Sequence, residues 1–171
     1  MDGKIALIYL IMSFTDMGVN HCPQGGCIAP EAATERLSFQ LGAVDFQEET
    51  ISSEVYLDYA IHTSYGPFQP VVGVSTTAEN SSWIGFGVRS DVALFNTGVV
   101  AEGSLMPGYY SMGQGEDLGG GLQFRSSLGL SYEFFGGSRL GVYYDHRSNG
   151  DIRELNPGLE TWGVRYSIPL N

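Results

Sequence analysis

From Arg36 onward the chain consists of short segments in which apolar and polar residues alternate. Alternation with a period of two is typical of β-strands that bury one face, and clusters of Gly, Pro, Asn, Ser or acidic residues separate the segments as turns do. Eight segments follow this pattern, at 37–46, 54–63, 68–75, 83–89, 92–103, 121–134, 140–148 and 159–170. The pattern predicts an all-β fold with eight antiparallel strands.

The segment 121–134 has one apolar face and one face that carries charges of both signs. Its apolar residues are Leu122, Phe124, Leu128, Leu130 and Tyr132, and its polar residues are Gln123, Arg125, Ser127, Ser131 and Glu133. In a soluble barrel or sandwich the polar face meets water, whereas in a small membrane barrel it fills the interior and the apolar face meets lipid. Periodicity alone leaves both architectures open.

The lengths of the connections favour the membrane barrel. Short turns are predicted at 64–67, 90–91 and 135–139, and the other connections are longer and polar. Strict alternation of short and long connections is typical of an up-and-down outer-membrane barrel, which has short periplasmic turns and longer extracellular loops. We therefore predict an eight-stranded antiparallel up-and-down transmembrane β-barrel over residues 31–171, located in the outer membrane.

Composition and charge agree with this prediction and exclude one class of partner. The chain contains 24 Gly, 10 Tyr and 9 Phe, a mixture that disfavours helices and favours strands and the aromatic girdles of membrane barrels. Its formal net charge of -11 is opposite to the basic surface that binding to phosphate backbones requires. We therefore expect no nucleic-acid partner.

The N-terminus has the pattern of a targeting segment. Lys4 precedes an apolar run at 5–12, which has the length of a signal-peptide hydrophobic region, and we interpret residues 1–30 as a leader. Cys22 and Cys27 lie in or just after it, so removal with the leader, a disulfide and a metal site with His21 are three alternatives. The ligand set is weak, and we expect neither a metal nor a cofactor.

Most charged residues on the polar faces have a structural interpretation. They would point into a narrow interior and pair there, as buried charges require. The residues concerned are Glu54, Asp58, Arg89, Glu102, Arg125 and Glu133. His62 lies at the end of a predicted strand, and we expect no catalytic role for it.

The last predicted hairpin differs, because His146, Ser148 and Glu160 share the parity of apolar, lipid-facing residues. Charged groups on that side of a barrel cost up to roughly 2 to 4 kcal/mol at the bilayer centre for basic residues, and less for acids or near the interface. One interpretation is that the hairpin merely ends at headgroup level. The other is a serine hydrolase, since same-face residues two apart on a strand lie about 6.6 Å apart.

In the hydrolase interpretation each residue has a defined role. Ser148 is the nucleophile, His146 takes its proton, and Glu160 on the neighbouring strand orients the imidazole. The backbone N–H groups of Asn149 and Gly150 are candidates to bind the oxyanion. Asn156, with Pro157 and Gly158, is expected to shape the return of the loop.

The stretch 144–166 resembles the lipid A 3-O-deacylase family of outer-membrane acyl hydrolases. The matching features are the motif His146-x-Ser148-Asn149, the turn Asn156-x-Gly158, and Glu160 at the family's spacing from the serine. The resemblance implies a Ser-His-Glu triad and hydrolysis of the ester that joins a 3-hydroxyacyl chain to lipid A in the outer leaflet. The implied partners are lipid A or lipopolysaccharide as substrate and the outer-membrane lipids, and a homodimer is left open.

Three other functions remain as alternatives. A non-enzymatic barrel of the adhesion or membrane-stabilising type would bind through a loop at 105–120, and His146 and Ser148 would be replaceable. A soluble barrel would enclose a small apolar ligand. An outer-membrane phospholipase would share the catalytic chemistry but cleave glycerophospholipids.

Overall fold

The computed structural model describes residues 3–95 and 97–170. An N-terminal helix, α1 (Lys4–Asp16), continues through a π-helical turn, Met17–His21, and a 3-10 turn, Cys22–Gln24. The strands that follow are β1 (Pro30–Ala32), β2 (Arg36–Phe46), β3 (Glu49–Ala60), β4 (Thr63–Tyr65), β5 (Gln69–Thr77), β6 (Ser82–Leu94), β7 (Val99–Ser111), β8 (Leu122–Glu133), β9 (Arg139–Ser148) and β10 (Leu159–Pro169).

The long strands form a closed barrel in the order β10-β2-β3-β5-β6-β7-β8-β9, and each neighbouring pair is antiparallel. Consecutive long strands are neighbours, and β10 returns to pair with β2. The short strands β1 and β4 form a separate two-stranded sheet. The predicted eight-stranded up-and-down barrel is confirmed.

The outer wall of the barrel is apolar. Along the long strands the outward positions are mostly apolar and exposed, for example Leu41, Leu57, Phe86, Leu130 and Val164. The alternate positions are buried and mostly polar. A surface of this kind is stable only where hydrocarbon covers it, so the barrel is of the transmembrane type.

Ion pairs and aromatic rings fill the interior. Glu54 forms ion pairs with Arg125 at 2.8 Å and with Arg147 at 2.5 Å, and all three side chains are nearly fully buried. Arg125 also stacks on the ring of Tyr56, with 4.0 Å from its guanidinium carbon to the ring centroid. The predicted inward pairing is confirmed for Glu54 and Arg125. It is also confirmed for Arg89, which pairs with the buried carboxylates of Asp58 and Glu102.

The predicted turn at 90–91 is wrong, because β6 continues past it and β7 begins only at Val99. Ser90 faces outward and accepts a hydrogen bond from the Ser13 hydroxyl of α1 at 3.0 Å. Asp91 faces inward and pairs with Arg139 at 2.5 Å. The two polar residues that suggested a turn are therefore strand residues whose partners come from elsewhere in the chain.

The predicted strict alternation of short and long connections is also wrong. Gln47 and Glu48 alone join β2 to β3, and their φ values of 51° and 71° suit the tight turns that match strand twist. The stretch 49–53, expected in a loop, extends β3. The predicted loop 105–120 is part strand as well, since Met106 and Tyr110 point inward along β7 and only 112–121 connects β7 to β8.

The N-terminal segment packs on the outside of the barrel. The Tyr9 side chain of α1 is buried, and its hydroxyl lies 3.4 Å from the Val88 carbonyl. Lys4–Gln24 is long and apolar enough to cross a membrane, a property that signal sequences share. Cys22 and Cys27 form a disulfide, one of the three alternatives left open for them. A leader that ends at residue 30 stays a prediction.

Candidate active site

A row of polar residues crosses the outer wall near the end of the barrel that carries the loops 112–121 and 149–158. The strand pairing places Ser126 of β8 opposite His146 of β9, His146 opposite Glu160 of β10, and Glu160 opposite Asp45 of β2. Ser148 lies two residues beyond His146 on the same face, opposite Phe124. The fold thus brings together the three residues that the sequence singled out.

The imidazole of His146 and the carboxylate of Glu160 are in contact. The distance from His146 Nδ1 to Glu160 Oε1 is 3.1 Å, which is within hydrogen-bonding range. A carboxylate on Nδ1 fixes the tautomer in which that nitrogen bears the proton, so Nε2 is the basic nitrogen. This is the arrangement that a histidine general base requires.

The site is shielded although it belongs to the outer wall. His146 is 3% exposed and Ser148 is 6% exposed, in contrast to the apolar residues lower on the same strand, such as Val142 at 63%. A charge that forms in such a place is poorly screened by water, and a hydrogen bond to it is therefore stronger than on an open surface. The polar row is thus a partly enclosed site within an apolar wall.

The turn after Ser148 is held by side-chain amides. The backbone N–H of Asn149 donates to Asn156 Oδ1 at 2.9 Å, and Asn156 Nδ2 donates to Asp151 at 2.8 Å. Gly150 has a φ of 65°, in the left-handed region that favours glycine. The N–H of Asn149, expected to bind an oxyanion, is therefore engaged within the loop, and Gly150 stays the predicted donor.

Asn149 has a second role that the sequence did not reveal. Its side chain is 1% exposed, and its amide donates to the carbonyls of Leu118 at 3.1 Å and Leu155 at 2.7 Å. It thereby joins the loops 112–121 and 149–158 directly beside Ser148. No local pattern could show this, because the two loops are far apart in sequence.

Two further residues of the polar row, Ser126 and Asp45, were also missed. Both occupy outward positions of their strands, so the alternation of the sequence could have identified them as polar residues on an apolar face. What the sequence lacked was the register that puts them in line with His146 and Glu160. His62, in contrast, follows β3 at the opposite end of the barrel.

A groove of about 510 Å³ runs along the outer wall below the polar row. The strand pairing places Leu128, Tyr144 and Trp162 directly below it, and Leu130, Val142 and Val164 one step further. The walls are almost entirely apolar. The groove therefore suits a hydrocarbon chain that approaches from the bilayer. Within residues 3–95 and 97–170, no group of His, Cys, Asp and Glu side chains has the arrangement of a metal site.

Comparison with known proteins supports a family assignment. The family model described as lipid A 3-O-deacylase (PagL) matches residues 34–169. The lipid A deacylase PagL of Pseudomonas aeruginosa is 33% identical over 55 residues, and this alignment covers 32% of each chain. The match therefore spans about a third of that relative's length.

Solved structures share the fold. The crystal structure of the outer membrane enzyme PagL superimposes with a TM-score of 0.62 at 19% identity and covers 79% of this chain and 99% of its own. A de novo designed transmembrane β-barrel and Neisserial surface protein A each give 0.56 at 11% identity, covering 81% and 83% of this chain and 98% and 99% of their own. Because the family model spans the whole barrel from β2 to β10, the chain belongs to the lipid A 3-O-deacylase (PagL) family.

Proposed function

We propose that the protein is a serine esterase that hydrolyses the 3-O-linked hydroxyacyl chain of lipid A in the outer leaflet of the outer membrane. The observation that carries the proposal is the contact between His146 and Glu160 beside Ser148 on the lipid-facing wall. The family assignment supports the reaction and the substrate. An aqueous substrate would require the site to face the interior or the loops, whereas this one faces the bilayer.

The reaction proceeds in two acyl transfers. Ser148 Oγ attacks the ester carbonyl while His146 Nε2 takes its proton, and Glu160 stabilises the imidazolium that forms. The tetrahedral intermediate collapses by breaking the bond to the sugar oxygen, which receives the proton from His146. Water then attacks the acyl-enzyme with His146 again as base, and the free 3-hydroxy fatty acid and Ser148 are released.

The developing negative charge on the carbonyl oxygen needs aimed donors. The Gly150 N–H lies in the turn that Asn156 fixes, two residues beyond the nucleophile. We assign the oxyanion role to this N–H and the positioning role to Asn156. The N–H of Asn149 belongs to the support of the loop, since it binds Asn156 Oδ1.

The substrate reaches the site through the membrane. Its acyl chain lies in the apolar groove below the polar row, and its sugar headgroup lies beside the loops 112–121 and 149–158. In this proposal the loop end faces the cell surface, where lipid A forms the outer leaflet. The substrate can enter by lateral diffusion, because the groove is open toward lipid.

The test is to incubate purified, refolded protein with lipopolysaccharide and to measure the mass of the lipid A by mass spectrometry. We expect loss of one hydroxyacyl chain with the parent and no loss with Ser148→Ala. Ser167→Ala is the matched control, because Ser167 is a buried serine on the inner face of β10 at the far end of the barrel.

Heat modifiability on SDS gels shows that each variant is folded. Equal loss of the chain with Ser148→Ala, or none with the folded parent, would refute the proposal. Release of fatty acid from glycerophospholipid but not from lipid A would indicate the phospholipase instead. No hydrolysis of either lipid would leave the non-enzymatic barrel.

A further inference from the structure

Asp45 is a carboxylate on the apolar outer wall, at the β2 end of the polar row. It lies opposite Glu160 in the pairing of β2 with β10, and both of its oxygens have partners. Oδ2 accepts the indole N–H of Trp162 at 2.9 Å, and Oδ1 accepts the hydroxyl of Thr50 at 2.6 Å. A charge on the lipid-facing wall destabilises the protein unless hydrogen bonds compensate it. Here two donors bind the carboxylate and hold it in one orientation.

The backbone of β3 is irregular opposite Asp45, because Ile51 is an extra residue in the pairing with β2. The pairing of β2 with β3 shifts register between Val44 and Asp45, so that Val44 faces Ser52 and Asp45 faces Thr50. A β-bulge bends the strand and re-aims a side chain, and bulges are frequent beside active sites. The bulge thus brings Thr50 level with the carboxylate.

The partner of Asp45 forms one wall of the acyl groove. Trp162 is 55% exposed, lines the groove, and stands between Tyr144 of β9 and Ala43 of β2. Its neighbour on the β2 side, Ala43, is small. The hydrogen bond to Asp45 is the contact that fixes the ring on the β2 side.

We propose that Asp45 is a positioning residue for the acyl chain. Asp45 holds Trp162 in one orientation, so that the indole forms a fixed wall of the groove below Glu160 and His146. The inference rests on the proposed function. It concerns binding of the acyl chain, so removal of the Asp45 side chain should raise KM and leave kcat little changed. An interfacial anchor, the ordinary role of an exposed tryptophan in a barrel, would affect stability and leave KM unchanged.

Two substitutions separate the hydrogen bond from the charge. Asp45→Asn removes the charge but keeps an acceptor oxygen for the indole, whereas Asp45→Ala removes both. If Asp45 acted through its charge on neighbouring Glu160, the two variants would be equally impaired. Glu49→Ala is the matched control, since it removes an exposed carboxylate from the same hairpin without touching Trp162.

The kinetics are measured on purified lipid A in detergent micelles. For Asp45→Ala we expect KM to rise about threefold to tenfold, the equivalent of one net hydrogen bond. Asp45→Asn and Glu49→Ala should stay close to the parent. In Trp162→Phe, which lacks the indole N–H, adding Asp45→Ala should cause little further change.

The indole N–H resonances give a readout that does not depend on activity. The chain has 2 tryptophans, so Trp162→Phe assigns the signal of Trp162, and Asp45→Ala should shift that signal while Asp45→Asn preserves it. An active parent with unchanged KM in Asp45→Ala, equal losses in both Asp45 variants, or an unshifted indole signal would each overturn the inference. An inactive parent overturns the proposed function, and the inference with it.

Discussion

Replacing Glu160 with glutamine tests the electrostatic part of the mechanism. The substitution keeps the size of the side chain and removes the negative charge that lies 3.1 Å from His146 Nδ1. In the proposed mechanism this charge acts on the imidazolium that forms when His146 takes the proton of Ser148. The effect should therefore appear in kcat, with KM little changed.

The magnitude follows from the strength and exposure of the contact. A hydrogen bond to a charged group contributes a net of about 1.5 to 3 kcal/mol, which corresponds to a factor of about 10 to 150 in rate. Loss of the carboxylate in a deeply buried protease triad costs about 10⁴ in kcat. The Glu160 side chain is 20% exposed, so water screens part of its charge. We therefore expect the loss of about 10-fold to 150-fold.

The assay is the initial rate of hydroxyacyl release from lipid A by Glu160→Gln, with Glu154→Gln as control. Glu154 is an exposed acid in the loop 149–158, and its substitution changes net charge equally without reaching the imidazole. A kcat within twofold of the parent, or a loss confined to KM, would refute the assignment of Glu160 as the partner of His146.

Three further predictions concern the support of the site and the wall. Asn156→Ala removes the acceptor of the Asn149 N–H and should lower kcat by about tenfold, with unchanged heat modifiability on SDS gels. Arg125→Met leaves Glu54 without one of its two guanidinium partners and should lower the free energy of unfolding in urea, measured in lipid vesicles, by about 3 to 5 kcal/mol. Leu130→Arg places a charge on the lipid-facing wall and should cost about 2 to 4 kcal/mol in the same measurement. An unchanged kcat for Asn156→Ala, or an unchanged midpoint for either other variant, would contradict the corresponding prediction.

The sequence predicted the strands and their faces well, because parity is local information. Successive side chains of a strand alternate between the two faces, so the outward direction of His146, Ser148 and Glu160 followed from position alone. The contact between His146 and Glu160 required more. Parity allows several registers across the loop 149–158, and only the three-dimensional pairing selects the one that places the two residues opposite each other.

The failures arose where a polar residue has a distant partner. Asp91 was read as a turn residue because it is polar. Its guanidinium partner, Arg139, lies on another strand of the barrel and could not be recognised from the local sequence. Asn149 was expected to offer its N–H to substrate, whereas Asn156 across the loop accepts it. Asp45 went unnoticed although its outward parity was visible, because its significance depends on the bulge and on Trp162. Polarity without knowledge of the partner is ambiguous between a turn, a buried pair and a functional site.

The filled interior supports the proposed location of the chemistry on the outer wall. Beside Tyr56, Arg89 and Arg165 the interior leaves a cavity of about 10 Å³, which is room for about one water molecule and not for the apolar ligand of a soluble barrel. The guanidinium and carboxylate groups around it are bound to one another, and opening them to a substrate would leave buried charges unpaired. In a narrow barrel that is stabilised in this way, a lipid can bind only to the outer wall. On the outer wall, polar residues destabilise a barrel least at headgroup level. The ester that would react in a membrane lipid lies at the same level.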